Sequence, residues 1–234
     1  MKAEIEIFSA EVCPYAQRTR LMLLEKGINH SLTEINLKNK PDWFAEVSPY
    51  SKVPVVRRGE DLVWESSVIN EYLEELYPHP PLMPKEPGRR ALARIWIDFA
   101  NVKLLPTWYR VFLEQDKGRR AELAARLTDY FRFMEFEGFR KTSQGGPFWM
   151  GKQVGLVDLC YYPWFERLPA LEHYRGIGLP QECEQLAAWT RRMATRESVK
   201  TCAQDAAFYI KGYSHYADGT EDGVTARDMR AGTG

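Results

Sequence analysis

The sequence predicts an α/β domain followed by an all-helical one, and three observations carry that prediction. From Glu4 to about Tyr77, short β-like runs alternate with helical ones. The stretch PHPPLMPKEPG, residues 78 to 88, holds five prolines and no periodicity, which is the composition of a connector. Beyond it the apolar residues recur at helical spacing almost throughout. The expected division is 1–78 for the α/β domain, 79–89 for the linker, 90–212 for the helical domain and 213–234 for a tail.

In order along the chain, IEIF (5–8) reads as a strand, Pro14 to about Lys26 as a helix, SLTEIN (31–36) as a second strand, and VPVVR (53–57) with LVW (62–64) as a hairpin around RGED. A helix from Ser66 places Val68, Ile69, Tyr72, Leu73 and Leu76 on one face. In the second half three stripes stand out: Leu92, Ile95, Trp96 and Phe99; Leu123, Leu127, Phe131 and Met134; and Leu186, Trp189 and Met193. Pro106 lies inside the helix expected over Leu92 to Leu113 and should kink it, widening a cleft between the domains. From Tyr213 onward, Gly, Asp and Thr are frequent and the tail is expected to be mobile or draped over the surface.

The chain has 234 residues, 44% hydrophobic and 27% charged, with a formal net charge of +0. That balance gives no electrostatic footprint for nucleic acid or an anionic membrane. No apolar run approaches the roughly 20 residues of a membrane span, and the acidic N-terminus is unlike a secretory signal, so a cytoplasmic protein is expected. Cys13, Cys160, Cys183 and Cys202 are widely spaced and lack metal-ligand spacing, so they read as reduced thiols with no metal.

The chemistry concentrates at EVCPYAQRTR, residues 11 to 20. A strand, a short loop and Pro14 in the first turn of a helix put the Cys13 thiol at a helix N-terminus. Proline costs nothing there, because its missing N–H would be unpaired anyway. Free N–H groups and the helix dipole favour thiolate over thiol, with Arg18 and Arg20 as further sources of positive potential. A small core residue beneath the first strand is the plain alternative. Three other features converge on the nucleophile reading. Val53-Pro54 opens a strand, and a cis proline in a thioredoxin-like fold leaves the preceding backbone free to pair with a peptide-like ligand. Glu65-Ser66 stands at a strand-to-helix junction, where Ser66 serves as an N-cap or its N–H groups receive a carboxylate. Lys40, in NLKNKPDWF, is either a solvated loop cation or the partner of a second carboxylate. Together they describe a site for a thiol peptide with a carboxylate at each end, which is glutathione.

On CPYAQRTR, INLKNKPDWF (35–44), VPVV followed by WES (64–66), and YPWFERL (162–168), the chain closely resembles the omega class of glutathione transferases, from roughly residue 4 to 210. The resemblance implies a thioredoxin-like N-terminal domain, an all-helical C-terminal domain and a homodimer. It also implies that Cys13 forms a mixed disulfide with glutathione, the co-substrate, which Lys40, Val53, Glu65 and Ser66 hold together with Pro14, Tyr15 and Pro54. Where two-cysteine enzymes of this kind resolve a mixed disulfide internally, Ala16 cannot, so the second thiol must come from solution. Gly155-Leu156-Val157-Asp158 occupies the place of the family's Ser/Thr-x-x-Asp capping box, with glycine replacing the hydroxyl residue; the cap should be weakened rather than lost. Cys160, Cys183 and Cys202 read as core.

The second substrate is expected in a pocket of the helical domain, with Trp108, Tyr109, Tyr162, Trp164, Phe208 and Tyr209 as candidate walls. The leading function is a glutathione-dependent thiol transferase or reductase, covering dehydroascorbate reduction, deglutathionylation and reductive thioether cleavage. Conjugation or ether cleavage, with a hydroxyl from Ser9 or Tyr15 steadying the glutathione thiolate, is the enzymatic alternative, and Tyr15 reads better as an aromatic wall. A non-catalytic binding module is the third reading; a scaffold has no need for Cys13, Lys40, Pro54, Glu65 and Ser66 together.

Overall fold

The computed structural model describes residues 4–232. The first half contains β1 (Ile5–Ser9), α1 (Pro14–Glu25), β2 (His30–Glu34), α2 (Phe44–Val47), β3 (Val55–Arg58), β4 (Asp61–Trp64) and α3 (Ser66–Leu76). Its sheet has the order β2-β1-β3-β4; β1 and β2 run parallel, and β3 is antiparallel to both β1 and β4. This is the βαβ unit followed by a hairpin that the alternating runs predict, in the thioredoxin-like arrangement that the resemblance implies. The two-residue side-chain period of β1 and β3 decides what covers each face. Ile5, Ile7 and Val56 pack with Leu21, Ile69 and Leu73 of α1 and α3, while Phe8 and Val55 close a second core with Ala16, Phe44 and Val47.

The second half is helical: α4 (Pro87–Phe99), α5 (Leu105–Leu113), α6 (Lys117–Phe133), α7 (Arg140–Thr142), α8 (Leu156–Phe165), α9 (Leu168–Arg175), α10 (Glu184–Ala194), α11 (Glu197–Cys202), α12 (Ala206–Ala217) and α13 (Val224–Ala231). Among the described residues no helix is long and apolar enough to cross a membrane. The proline-rich connector is pinned in place. Lys26 and Glu74 form a buried ion pair at 2.7 Å, Lys26 Nζ also donates to the Tyr77 and Pro80 carbonyls, and Glu74 accepts from the Leu82 and Met83 N–H groups. Every polar group of the pair is thus bonded, which is the condition for burying it.

Several expectations need correction. Val68 and Ile95, assigned to core stripes, are exposed. Glu65 holds the N-cap position of α3, at φ 67°, and Ser66 is the first helical residue. Pro106 is the second residue of α5, and the chain leads into it through a π-helical turn over Ala100–Leu104 that the sequence reading did not foresee. The segment from Tyr213 is not structureless. It completes α12 and forms α13, whose Ala226 and Met229 are buried and whose Met229 carbonyl accepts from Arg110 Nε at 3.2 Å.

Gly155 has a physical reason. The Leu156 N–H donates to Leu82 O at 2.8 Å, and a Cβ at Gly155 would stand 2.8 Å from that same oxygen. Connector and helix approach too closely for any side chain. Asp158 supplies the cap instead: Oδ2 accepts from the Gly155 N–H at 2.8 Å, and Oδ1 accepts from the Trp149 N–H and Trp189 Nε1. Burial pushes this carboxyl up to about 6, against the pull of those three donors.

Candidate active site

β1 ends below a loop that delivers Cys13 to the N-cap position of α1, with extended backbone (φ −86°, ψ 117°) and its N–H bonded to Ala10 O at 3.0 Å. Pro14 follows as the first helical residue, as the missing N–H allows. α1 is clamped between the halves of the molecule. Gln17 donates to Glu166 Oε2 at 2.7 Å, Arg18 Nε to Cys160 O at 2.9 Å, and Arg196 pairs with Glu25 at 2.5 Å. The cysteine therefore sits on a helix fixed from both sides.

The cleft above it has a volume of about 1210 Å³ and is walled by both domains. From the α/β side, Lys40, Val53, Pro54, Glu65 and Ser66 join Cys13, Pro14 and Tyr15 on its lining, so every residue assigned to glutathione faces one cavity. Val53-Pro54 is cis, Val53 precedes the ladder that begins at Val55, and its carbonyl lies 3.8 Å from Cys13 Sγ. Lys40 Nζ donates to the Ser51 carbonyl at 2.7 Å; burial and the nearby Arg227 lower its affinity for a proton.

Of the six candidate acceptor walls, Tyr109, Phe208 and Tyr209 line the cleft. Trp108, Tyr162 and Trp164 belong to the core instead, packed against Phe112, Trp189 and Tyr15 respectively at ring distances of 6.2, 6.3 and 4.8 Å. The sequence reading missed Tyr213 and Tyr216, which with Tyr209 share one face of α12 and line the cleft; their spacing of four and three was a readable helical stripe. It also missed Arg167, whose Nη1 is held by Gln17 Oε1 and Pro163 O, both at 2.6 Å, and whose guanidinium lies over the Tyr209 ring at 4.3 Å. Nothing in the local sequence gives an arginine its direction. α13 forms part of the roof, and Lys52 reaches Asp228 across the mouth at 2.6 Å, with the two side chains 39% and 31% exposed.

Neither alternative hydroxyl stands out as a partner for a glutathione thiolate. Ser9 is buried, its Oγ accepting from Arg20 at 2.7 Å. Tyr15 stacks on Tyr109 at 6.4 Å and meets Trp164 edge-on, and burial raises its phenol far out of the neutral range. It is a wall.

Cys13 carries a correction of its own. The residue is part-buried by surface, yet its thiol lies deep between the cavity walls, and desolvation there pushes it up. The Ala16 and Tyr15 N–H groups, then Arg20 and Arg167, pull it down but do not win. Alkylation of Cys13 by iodoacetamide should accordingly keep rising between pH 7 and pH 9, as titration of an ordinary or raised thiol requires; a plateau reached below pH 7 would contradict this balance. Cys160 and Cys183 are buried away from the cleft, and the part-buried Cys202 lines a separate depression with Arg20. Among the described residues no cluster of His, Cys, Asp and Glu could hold a metal.

Residues 12–76 match the family model described as "Glutathione S-transferase, N-terminal domain". Over 170 residues the chain is 36% identical to glutathione S-transferase omega-1 of Sus scrofa, covering 72% of this chain and 68% of the relative. Over 212 residues it is 30% identical to glutathione S-transferase 3 of Glycine max, covering 88% and 92%. Among solved structures, a tau-class glutathione S-transferase of Mangifera indica superposes with a TM-score of 0.85 at 24% identity, over 94% of this chain and 100% of that one. Glutathione transferase Omega 3C of Trametes versicolor gives 0.81 at 28%, over 93% and 92%, and a dehydroascorbate reductase of Chlamydomonas reinhardtii 0.76 at 23%, over 92% and 100%. Two sequence relatives above the level at which fold alone is shared, and a cleft built from both halves of that fold, lead to one assignment: the chain belongs to the glutathione S-transferase family of enzymes.

Proposed function

We propose that the protein is an omega-type glutathione-dependent thiol transferase or reductase with Cys13 as its nucleophile. The observation that carries this reading is the place of Cys13 Sγ. It sits at a helix N-terminus 3.8 Å from the Val53 carbonyl, with alanine where a resolving cysteine would stand. Glutathione fits the cleft with its cysteinyl backbone paired to Val53, one carboxylate toward Lys40 and the γ-glutamyl end toward Glu65 and Ser66.

In the first step the Cys13 thiolate attacks the glutathionyl sulfur of a disulfide G–S–S–R. The Cys13–S–S–G bond forms, the G–S–S–R bond breaks, and R–S⁻ leaves to take a proton from solvent. In the second, a glutathione thiolate from solution attacks the glutathionyl sulfur of that mixed disulfide, releasing oxidised glutathione and the Cys13 thiolate. The Tyr15 and Ala16 N–H groups with Arg20 and Arg167 act mainly here, because they steady Cys13 as the leaving group. The omega-named relatives favour this cycle, and the dehydroascorbate reductase neighbour shares its fold. The hydrogen bond that holds Ser9 and the raised phenol of Tyr15 count against a hydroxyl-assisted conjugating mechanism. The reading includes a cytoplasmic, reducing setting and a homodimer, for which exposed Val68, Ile95 and Val102 offer apolar surface.

Intact-protein mass after incubation with oxidised glutathione tests the cycle. One glutathione adduct is expected, lost on adding reduced glutathione and absent from Cys13→Ser. No adduct, or one that persists in the variant, removes Cys13 from the mechanism.

A further inference from the structure

Beyond the residues assigned above, Ser67 and Asn101 stand in a hydrogen-bond chain with a definite direction. Asn101 comes from the π-helical turn Ala100–Leu104 of the helical domain, Ser67 is the second residue of α3, and both line the cleft. Arg18, 1% exposed, donates from Nη1 to Asn101 Oδ1 at 2.9 Å and to Ser66 Oγ at 3.2 Å, while its Nη2 is buried without a hydrogen-bond partner. Asn101 Nδ2 donates to Ser67 Oγ at 3.0 Å.

A guanidinium only donates, so the amide oxygen of Asn101 must face Arg18 and its NH₂ must face Ser67. Each serine oxygen then accepts from a group behind it: Ser66 from Arg18, Ser67 from Asn101. Each hydroxyl proton is thereby left free for another acceptor, and both serines line the cleft. Two hydroxyl donors, backed by a buried positive charge at the N-terminus of an 11-residue helix, are suited to one carboxylate.

We propose that Ser67 is a second hydroxyl ligand, beside Ser66, for the γ-glutamyl α-carboxylate of glutathione, and that Asn101 and Arg18 are positioning residues that set the direction of both hydroxyls. This rests on the glutathione reading above. It gives the π-helical turn a task, since that turn carries the amide to Ser67, and it makes affinity for glutathione depend on how the two domains meet.

The decisive variant is Asn101→Asp. An aspartate still accepts from Arg18, so the link between domains survives, but it also accepts from the Ser67 hydroxyl, turning that proton away from the cleft and adding a negative charge. Titration calorimetry with reduced glutathione should show affinity lowered about tenfold, the scale of one hydrogen bond to a charged group, with Tm at or above that of the wild type. Ser67→Ala, which leaves the interdomain bonds of Arg18 in place, should lose about threefold to tenfold by the same scale. KM for glutathione should rise in both variants while kcat stays within about twofold. For the analogue in which that carboxylate is an amide, both variants should match the wild type within about twofold, since the contact being removed is to the charge. Unchanged glutathione affinity in either variant overturns the inference. So does an equal loss toward the amide analogue. A wild type that does not bind glutathione overturns the glutathione reading itself and this inference with it, whereas wild-type binding with indifferent variants overturns this inference alone.

Discussion

Cys13→Ser is expected to lower glutathione-dependent reduction of the mixed disulfide between glutathione and 2-mercaptoethanol by about 10³-fold or more. The variant loses the only step that couples substrate to glutathione through the protein, since a serine oxygen forms no disulfide and is a far weaker nucleophile at neutral pH. No other thiol replaces it: Cys160 and Cys183 are buried in the helical domain, and Cys202 opens on a different depression. The exchange removes little volume from a part-buried position, so Tm should shift by a few degrees at most. Steady-state rates at saturating glutathione, measured beside a thermal melt, separate chemistry from folding. Activity retained within about tenfold would end the monothiol cycle and leave conjugation, with glutathione itself as the nucleophile, as the better account.

The largest effect on stability is expected at Asp158. Its carboxylate is fully buried and is the acceptor for three N–H groups, two from backbone and one from the Trp189 indole, which lie on the turn before α8, on the segment ahead of it and on α10. Asp158→Ala leaves all three donors buried and unpaired, so the loss should reach about 4 kcal/mol or more at each donor's cost of about 1–3 kcal/mol. Asp158→Asn keeps the shape and the Oδ1 acceptor but turns an NH₂ toward the Gly155 N–H; a smaller loss of about 2 kcal/mol follows from that one donor-to-donor contact. Urea unfolding of the three proteins gives the order directly. A loss under about 1 kcal/mol for the alanine variant would mean that the cap, the Trp149 segment and α10 hold together without the carboxylate.

The sequence made the α/β half and the helix N-terminal position of Cys13 legible because their signals are local. IEIF alternates, Pro14 is best tolerated in a first turn, and Cys13 is placed by its two neighbours. Lys40, Val53, Pro54, Glu65 and Ser66 were reachable through motifs alone, and the folded chain turns all of them toward one cavity. What escaped was decided over long range. Helical spacing says that Leu92, Ile95, Trp96 and Phe99 share a side, not that this side is covered, and Ile95 is exposed. Trp108 and Tyr109 are adjacent in sequence, yet one is sealed in the core and the other lines the cleft. No local preference distinguishes them; the difference arises where α5 meets α1 and α12. Arg18 and Arg167 were visible as charges but not as vectors, since a long side chain acquires its direction from partners such as Cys160 O, Asn101, Gln17 and Pro163. Gly155 looked like a weakened cap because the carbonyl that forbids a side chain there belongs to Leu82, more than seventy positions earlier.

The Lys52–Asp228 pair at the mouth of the cleft has a practical consequence. Both side chains are partly exposed, so their attraction is of the size that dissolved salt erases: under about 1 kcal/mol in dilute buffer, with a screening length of about 10 Å at 0.1 M and about 3 Å at 1 M. Salt therefore weakens this one tie across the entrance, while the buried Ala226 and Met229 keep α13 docked. Kinetic constants for a reaction in this cleft are therefore best compared at matched salt, with a difference of no more than about fivefold expected from this pair.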